Sequence, residues 1–261
     1  MNAIHNDLLE ISPSAEYVIS DREMAVRRDL AACYRLIAML GWDDLVATHI
    51  SAAVPGENAI LINPFGLLFE EVTASSLLKV NMQGEVVQPS AYAVNQAGFV
   101  VHSAVHGARP DVGCVVHLHT KDGVAVSMLE EGLLPLNQAA MTIAHDVAMH
   151  EYEGIVDDLR ERERLAADLG TRHLMLLRNH GTLAVGRTVA EAFTRIYTLE
   201  TCCAIQIRAC STGRAIHVPT AEAVASTAGR MTVDAIGSYA NNLVWPAMLR
   251  KLDRIDPDYA R

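Results

Sequence analysis

The chain has 261 residues, 51% of them hydrophobic, and a net charge of −10 from 21 basic and 31 acidic side chains. So apolar a chain can bury a real core, while its acidic balance argues against nonspecific nucleic-acid binding and against docking on an anionic membrane, since both need a basic footprint. No run of about 18 apolar residues is available to span a bilayer, no secretory signal is visible, and the five cysteines, mostly in apolar runs and without a Cys-x-x-Cys pair, read as buried reduced thiols, so a cytoplasmic protein is expected.

Residues 1–20 read as a polar arm. Ser20-Asp21-Arg22-Glu23 is a capping-box pattern. It opens an amphipathic helix with Met24, Leu30, Ala31, Tyr34, Ile37 and Leu40 on one face, stopped by Gly41. Leu45 to Val54 reads as a strand, Pro55-Gly56-Glu57-Asn58 as a turn, and Ala59 to Ile62 as the returning strand. After the tight loop Asn63-Pro64-Phe65-Gly66, a short helical piece is expected past Thr73. A second hairpin follows, from Leu77–Asn81 through Gln83-Gly84 to Glu85–Val87. Ala97 to Ala108 reads as a helix ended by Arg109-Pro110.

Next comes Cys114-Val115-Val116-His117-Leu118-His119-Thr120, an apolar run that ends in a His-x-His pair. Such a run suits a buried strand, on which residues two apart share a face. His117 and His119 therefore project side by side at a strand's carboxyl end, where open α/β sheets place ligands. Two neutral imidazoles on one face make half of a metal site.

Thr120 caps a helix expected to run to about Glu131. Pro135 to Glu151 is ambiguous, reading as a short helix and then Val147-Ala148-Met149; His145, His150 and Tyr152 fall in this poorly periodic region. Asp158 to Leu169 is a charged helix closed by Gly170. Leu174–Leu177 is a second short apolar run, and it breaks into the turn Arg178-Asn179-His180-Gly181 before a partner strand, Thr182 to Val185. His180 thus sits at a strand end, as the first pair does. If the strands are neighbours, three imidazoles converge. Three His ligands with an open position is the pattern of a catalytic site. Thr188-Val189-Ala190-Glu191 opens the longest expected helix, to about Ser211. Residues 215–261 read as a helical extension packed on a single domain spanning 21–214.

Other side chains could carry chemistry. His102 and His106 are four apart on one helical face, and packing and hydrogen bonding suit them better than metal ligation. Glu71, beside Glu70, could act as a general base.

Several of these segments together resemble the class II aldolase/adducin family. They are Ile62–Ser76, Asn95-Gln96-Ala97-Gly98-Phe99, Val115–Thr120 and Leu177–Gly181, and the likeness runs from about Met24 to about Ala209, nearest to the adducin-head branch. The resemblance implies a three-layer α/β/α fold with a mixed, largely antiparallel central sheet. It implies a divalent metal on His117, His119 and His180: zinc first, with manganese, iron or cobalt also fitting. It also implies a homotetramer with sites near subunit interfaces, and substrate contacts from His49, Asn63, Gly66 and Gln96. The chain departs from the sugar-phosphate aldolases of the family where their acidic residue would stand, which here is Gly98. Their phosphate-binding hydroxyl positions are Phe65, Gln96 and Ala97. A metal-dependent lyase acting through a metal-stabilised enediolate on a small non-phosphorylated carbonyl or hydroxy acid is expected, with Glu71, Tyr152 or a neighbouring subunit moving the proton. The alternative is a non-catalytic, adducin-head-like binding or oligomerisation module.

Overall fold

The structure is a computed structural model that describes residues 18–154 and 159–261, so most of the expected N-terminal arm and the start of the expected helix at Asp158 lie outside the described residues. Its framework is a seven-stranded sheet with strand order β3-β2-β1-β4-β7-β6-β5. The strands are β1 (His49–Ala53), β2 (Ala59–Ile62), β3 (Leu78–Asn81), β4 (Cys114–Leu118), β5 (Val147–His150), β6 (Leu174–Leu177) and β7 (Gly181–Gly186). Every neighbouring pair is antiparallel except β5 with β6. This is the mixed, largely antiparallel sheet expected from the resemblance.

Period-two alternation along the strands makes the layers. Cys114, Val116 and Leu118 of β4 join Ile50, Ala52, Leu174, Leu176 and Ala184 in one core. Helices α1 (Asp21–Met39) and α6 (Val189–Cys210) cover that face through Leu30, Tyr34, Phe193 and Leu199. Val115, Met175, Leu177, Leu183 and Val185 point the other way, against α2 (Gln96–Ala108) and α5 (Leu159–Leu169). His117 and His119 follow Val115 at spacing two. The second face is therefore the one on which a ligand site can form.

Local chemistry explains where the elements begin and end. Ser20 and Thr188 cap α1 and α6 by accepting from the N–H groups of Glu23 and Glu191, each at 3.2 Å. The acids of the two boxes are engaged elsewhere: Glu23 by Arg27 (2.8 Å) and Lys79 (3.0 Å), and Glu191 by Arg187 (3.1 Å) and Arg195 (3.2 Å). The first strand starts at His49 rather than Leu45, because Leu45 has φ of 50° and Ala47 N–H closes a turn onto the Asp44 carbonyl at 2.9 Å. The helical piece expected past Thr73 is instead a 3₁₀ turn before it, Phe69–Glu71. Thr73 and Ser76 bind each other's backbone N–H (2.9 and 3.2 Å), an alternative to helix formation. The return arm of the second hairpin is reduced to one bridge, Val80 with Val86. Helix α3 (Lys121–Ser127) stops short of Glu131: the Leu129 N–H returns to the Val126 carbonyl at 3.1 Å and the Gly132 N–H to the Leu129 carbonyl at 3.0 Å, and the Arg178 guanidinium binds the carbonyls of Leu129 (2.6 Å) and Glu130 (3.1 Å) beyond it.

Residues 138–143 form α4, and the C-terminal part forms α7 (Ala221–Ala228), α8 (Val233–Tyr239) and α9 (Trp245–Ile255). Trp245 donates its indole N–H to Asp29 on α1 at 2.9 Å, and the Tyr259 carbonyl accepts from Ala74 N–H at 2.8 Å. Leu252 and Tyr259 are buried with Trp245, whereas Tyr239 and Leu243 are exposed.

Candidate metal centre

The centre is made by the end of β4 and the turn between β6 and β7. Register places Leu118 opposite Thr182 and Leu177 opposite Gly181, so residues 178–180 fold over the end of β4. Asn179 takes φ of 57°, a left-handed conformation that Asn tolerates, and this tightens the turn. Gly181 is required next: a Cβ there would collide with the Leu118 carbonyl.

The three imidazoles meet. His119 Nε2 lies 2.9 Å from His117 Nε2 and 2.9 Å from His180 Nε2. Tetrahedral ligation at ordinary Zn–N distances sets nitrogens about 3.3 Å apart, so a small relaxation admits a divalent ion, and the donor set fits one. The far sides of two rings are held as metal ligands require. His117 Nδ1–H donates to the Thr182 carbonyl (2.9 Å), and His119 Nδ1 faces the Asp44 carboxylate (3.1 Å). Both contacts leave Nε2 as the free lone pair. Burial, then the neighbouring imidazoles, hold His117 well below the usual histidine range; the same causes bring His180 down to about 4. Both are neutral, the form that binds metal.

Glu200 of α6 supports this arrangement from behind. Its two carboxylate oxygens accept from the hydroxyls of Thr120, next to His119, and Thr182, whose carbonyl holds His117. Burial pushes its carboxyl up to about 7 against the lowering effect of the two threonines. Because this value lies above the ordinary 4.5, Glu200 favours folding most below pH 4.5, and that contribution is lost as pH rises through about 7. Glu200→Gln should therefore flatten the stability difference across that window in urea unfolding. The same variant should weaken zinc binding by about ten-fold or more in chelator competition.

The ligands open on a cavity of about 180 Å³ lined by Ala47, His49, Asn95, Ala97, Tyr152 and the triad, among others. The remaining expected site residues divide. His49 and Tyr152 line the cavity, with the Tyr152 ring centroid 6.5 Å from that of His180. Asn63 is buried and tied to the Tyr34 hydroxyl by its backbone N–H (3.1 Å) and its side chain (2.9 Å). Glu71 is exposed and accepts from Leu68 N–H at 2.8 Å, closing its own 3₁₀ turn. Gln96 is exposed at the start of α2, and Gly66 sits at φ of +101° in an open loop. None of these four is among the described residues that line the cavity. Asp44, Asn95 and Glu200 were not among the expected site residues: Asn95 stands in a segment that carries the resemblance without a role of its own, while Asp44 and Glu200 are ordinary polar residues 75 and 80 positions along the chain from the His119 and Thr120 they meet.

Gly98 is explained by His49. A Cβ at position 98 would lie 2.5 Å from His49 Nε2 and 2.8 Å from its Cγ, and closer still to Cδ2. The imidazole from β1 therefore occupies the space into which a side chain at 98 would grow. His49 is buried, with Nδ1 2.8 Å from His102 Nε2. Burial, followed by the neighbouring His102, His119 and His180, places it well below the usual histidine range.

Comparison with known proteins agrees with this architecture. The sequence pattern of the Class II Aldolase and Adducin N-terminal domain matches residues 28–207. An aldolase II superfamily protein from Pseudomonas syringae superposes with a TM-score of 0.87 at 45% identity, over 93% of this chain and 98% of that one. An L-fuculose 1-phosphate aldolase from Glaciozyma antarctica gives 0.80 at 28% identity, over 96% of this chain and 97% of that one. Alpha-adducin of Mus musculus is 48% identical over 190 residues, 71% of this chain but only 26% of its own length. With a family pattern spanning most of its length and near-complete superposition on a superfamily structure, this chain belongs to the class II aldolase/adducin family.

Proposed function

We propose that the protein is a divalent-metal-dependent carbon–carbon lyase acting on a small, non-phosphorylated carbonyl or hydroxy-acid compound. The observation that carries the reading is the meeting of three Nε2 atoms on a cavity of about 180 Å³. Zinc is the ion expected, with manganese, iron or cobalt able to take the same nitrogens. Such an ion supplies Lewis-acid stabilisation of the negative charge that develops on a substrate oxygen during aldol cleavage, decarboxylation or epimerisation. The protein's own side chains bind and orient. His49 meets a polar group of the substrate from the β1 side, and Tyr152, at the exposed rim, carries a proton to or from it. We further propose that the functional unit is a homotetramer with sites near the subunit boundaries, its contacts including the exposed Tyr239 and Leu243.

The cavity favours a substrate without phosphate. Among its described lining residues there is no Lys or Arg to pair with a dianion, and a charge taken out of water without a charged partner is costly. The alternative, a non-catalytic binding module, draws support from the 48% identity to alpha-adducin. Exchange in D₂O separates the readings. Zinc-loaded protein should wash out the C–H protons of dihydroxyacetone or a related free hydroxyketone, seen by proton NMR, and a chelator should abolish this. Dihydroxyacetone phosphate should exchange at least about ten-fold more slowly, the scale of one lost charge-assisted contact. Faster exchange of the phosphate would overturn the substrate class. No metal-dependent exchange across a panel of small hydroxyketones and hydroxy acids would leave the binding-module reading.

A further inference from the structure

Besides the triad, three polar side chains are among the described residues that line the cavity: His49, Tyr152 and Asn95. The first two leave the substrate's chemistry open. A tyrosine hydroxyl donates or accepts, and a neutral imidazole does either according to which nitrogen carries its proton. Asn95 is committed. It is the N-cap of α2, and its side chain accepts from the Gly98 N–H at 3.4 Å. Only the amide oxygen can accept, so Oδ1 is turned to the helix and the group left over is the Nδ2 amide, with two donors and no acceptor. No described residue takes up those donors. We propose that Asn95 is a substrate-binding residue whose Nδ2 donates to an oxygen of the substrate. The site then selects compounds that carry a carbonyl or carboxylate oxygen beyond the oxygens that a metal ion would bind. This rests on reading the cavity as a metal-dependent substrate site.

The start of α2 fixes where that donor stands. Asn95 is extended, and the helix begins at Gln96. The planar amide sets its oxygen and nitrogen about 120° apart around Cγ, so with Oδ1 turned into the first helical turn the donors turn out of it. Gly98, whose N–H holds Oδ1, also lies against the His49 ring, because a Cβ there would be 2.5 Å from His49 Nε2. Asn95 and His49 therefore meet one residue from two directions, and both reach the cavity. The wall behind them is tied down. His49 Nδ1 lies 2.8 Å from His102 Nε2, and Ser51 Oγ lies 2.5 Å from His102 Nδ1 and 2.8 Å from His106 Nε2. A donor held in place before the ligand arrives loses little freedom on binding, which favours affinity.

The chemistry of the donor sets the substrate class. An amide N–H is neutral, so it suits one carbonyl oxygen or one oxygen of a single carboxylate. An ammonium group has only donors of its own and would face N–H with N–H. With Gly98 in place of an acid, position 98 adds no carboxylate to repel an anionic oxygen. Keto acids, hydroxy acids and dicarbonyl compounds fit this pattern better than amines.

Two probes that anchor on the metal separate the added oxygen from the anchor. Acetohydroxamate offers the chelating group alone, and malonic monohydroxamate adds a carboxylate to its methyl carbon. In calorimetric titration of the zinc-loaded wild type, the malonic probe should bind at least about ten-fold more tightly, the scale of one hydrogen bond to a charged group. Asn95→Ser keeps a capping oxygen but removes the amide. Its ratio should fall to near one, with zinc content and acetohydroxamate affinity unchanged. Asn95→Asp also keeps the cap and puts a negative oxygen where the donors were, so the ratio should invert. A residue that only capped the helix would leave the ratio the same in all three proteins. Equal binding of the two probes by the wild type overturns the proposal. So does an unmoved ratio in either variant once circular dichroism shows it folded. If neither variant folds, the wild-type ratio alone decides. Acetohydroxamate that fails to bind the wild type would remove the metal cavity, and this inference with it. Failure of the lyase reading alone would appear as absent exchange in D₂O with the ratios as expected.

Discussion

A His117→Ala/His180→Ala variant should lose its bound divalent metal altogether, falling from near-stoichiometric content to background in elemental analysis. Three imidazoles define the site, and removing two leaves a single monodentate ligand, His119, which the Asp44 carboxylate holds at 3.1 Å on its other nitrogen. Affinity that depends on simultaneous ligation does not survive this. The fold should persist: His180 sits in a turn, and the buried His117 ring packs against the other imidazoles of the site, with one backbone contact at 2.9 Å, rather than in the apolar core. Far-UV circular dichroism of the variant provides the control. pH supplies a second arm. Ligands must be neutral to bind, and His180 without metal is already down at about 4, so bound metal should be retained well below pH 6.5 and released as pH falls towards that value. The metal-free protein should also lose stability over the same interval, since groups depressed in the folded state are protonated more readily in the unfolded chain. Metal that stays at full occupancy in the double variant would place the binding site elsewhere.

The parts of the centre legible in the sequence are those that depend on local geometry. His117 and His119 share a face because strands repeat every two residues, and His180 follows an apolar run in a turn between Asn179 and Gly181, both features visible without coordinates. Helix starts at Ser20, Thr120 and Thr188 were equally plain, since each cap bonds a backbone N–H three residues ahead. What stayed hidden is long-range. Nothing local tells that Asp44 faces His119, or that Glu200, 80 residues after Thr120, accepts its hydroxyl. Glu71 looked available as a base because its backbone partner, Leu68 N–H, belongs to a 3₁₀ turn with no periodic signature. The contacts that hold the residues after α3 were unreadable too, since Arg178 reaches them from 49 residues away. The pair His102 and His106 was correctly placed on one face with a packing and hydrogen-bonding role. Its partners on β1 could be known only once the sheet brought His49 and Ser51 against α2.

That same β1–α2 packing makes position 98 sensitive to a small change. Gly98→Ala adds one methyl group, which would sit 2.5 Å from His49 Nε2 and 2.8 Å from Cγ. The ring cannot swing aside freely, because it is buried and its Nδ1 is held 2.8 Å from His102. Overpacking of this kind costs about 1–3 kcal/mol, and a lost contact between His49 and His102 adds to it. Gly98→Ala should therefore lower the urea midpoint without changing the slope of the transition. Gly98→Glu, which puts back the acid of the sugar-phosphate branch, should do more damage, since a carboxylate and an imidazole would compete for one volume. His49→Asn on its own should be milder, as it opens space rather than filling it. Combining His49→Asn with Gly98→Glu should recover much of the stability lost in Gly98→Glu, with a coupling of about 1–3 kcal/mol in the double-mutant cycle. Strict additivity would mean that the two side chains do not share the space, and that the glycine at 98 answers to some other neighbour. Recovery would show that one pocket beside the metal can be filled either by an acid from the helix or by an imidazole from the strand, and that this chain has taken the second course.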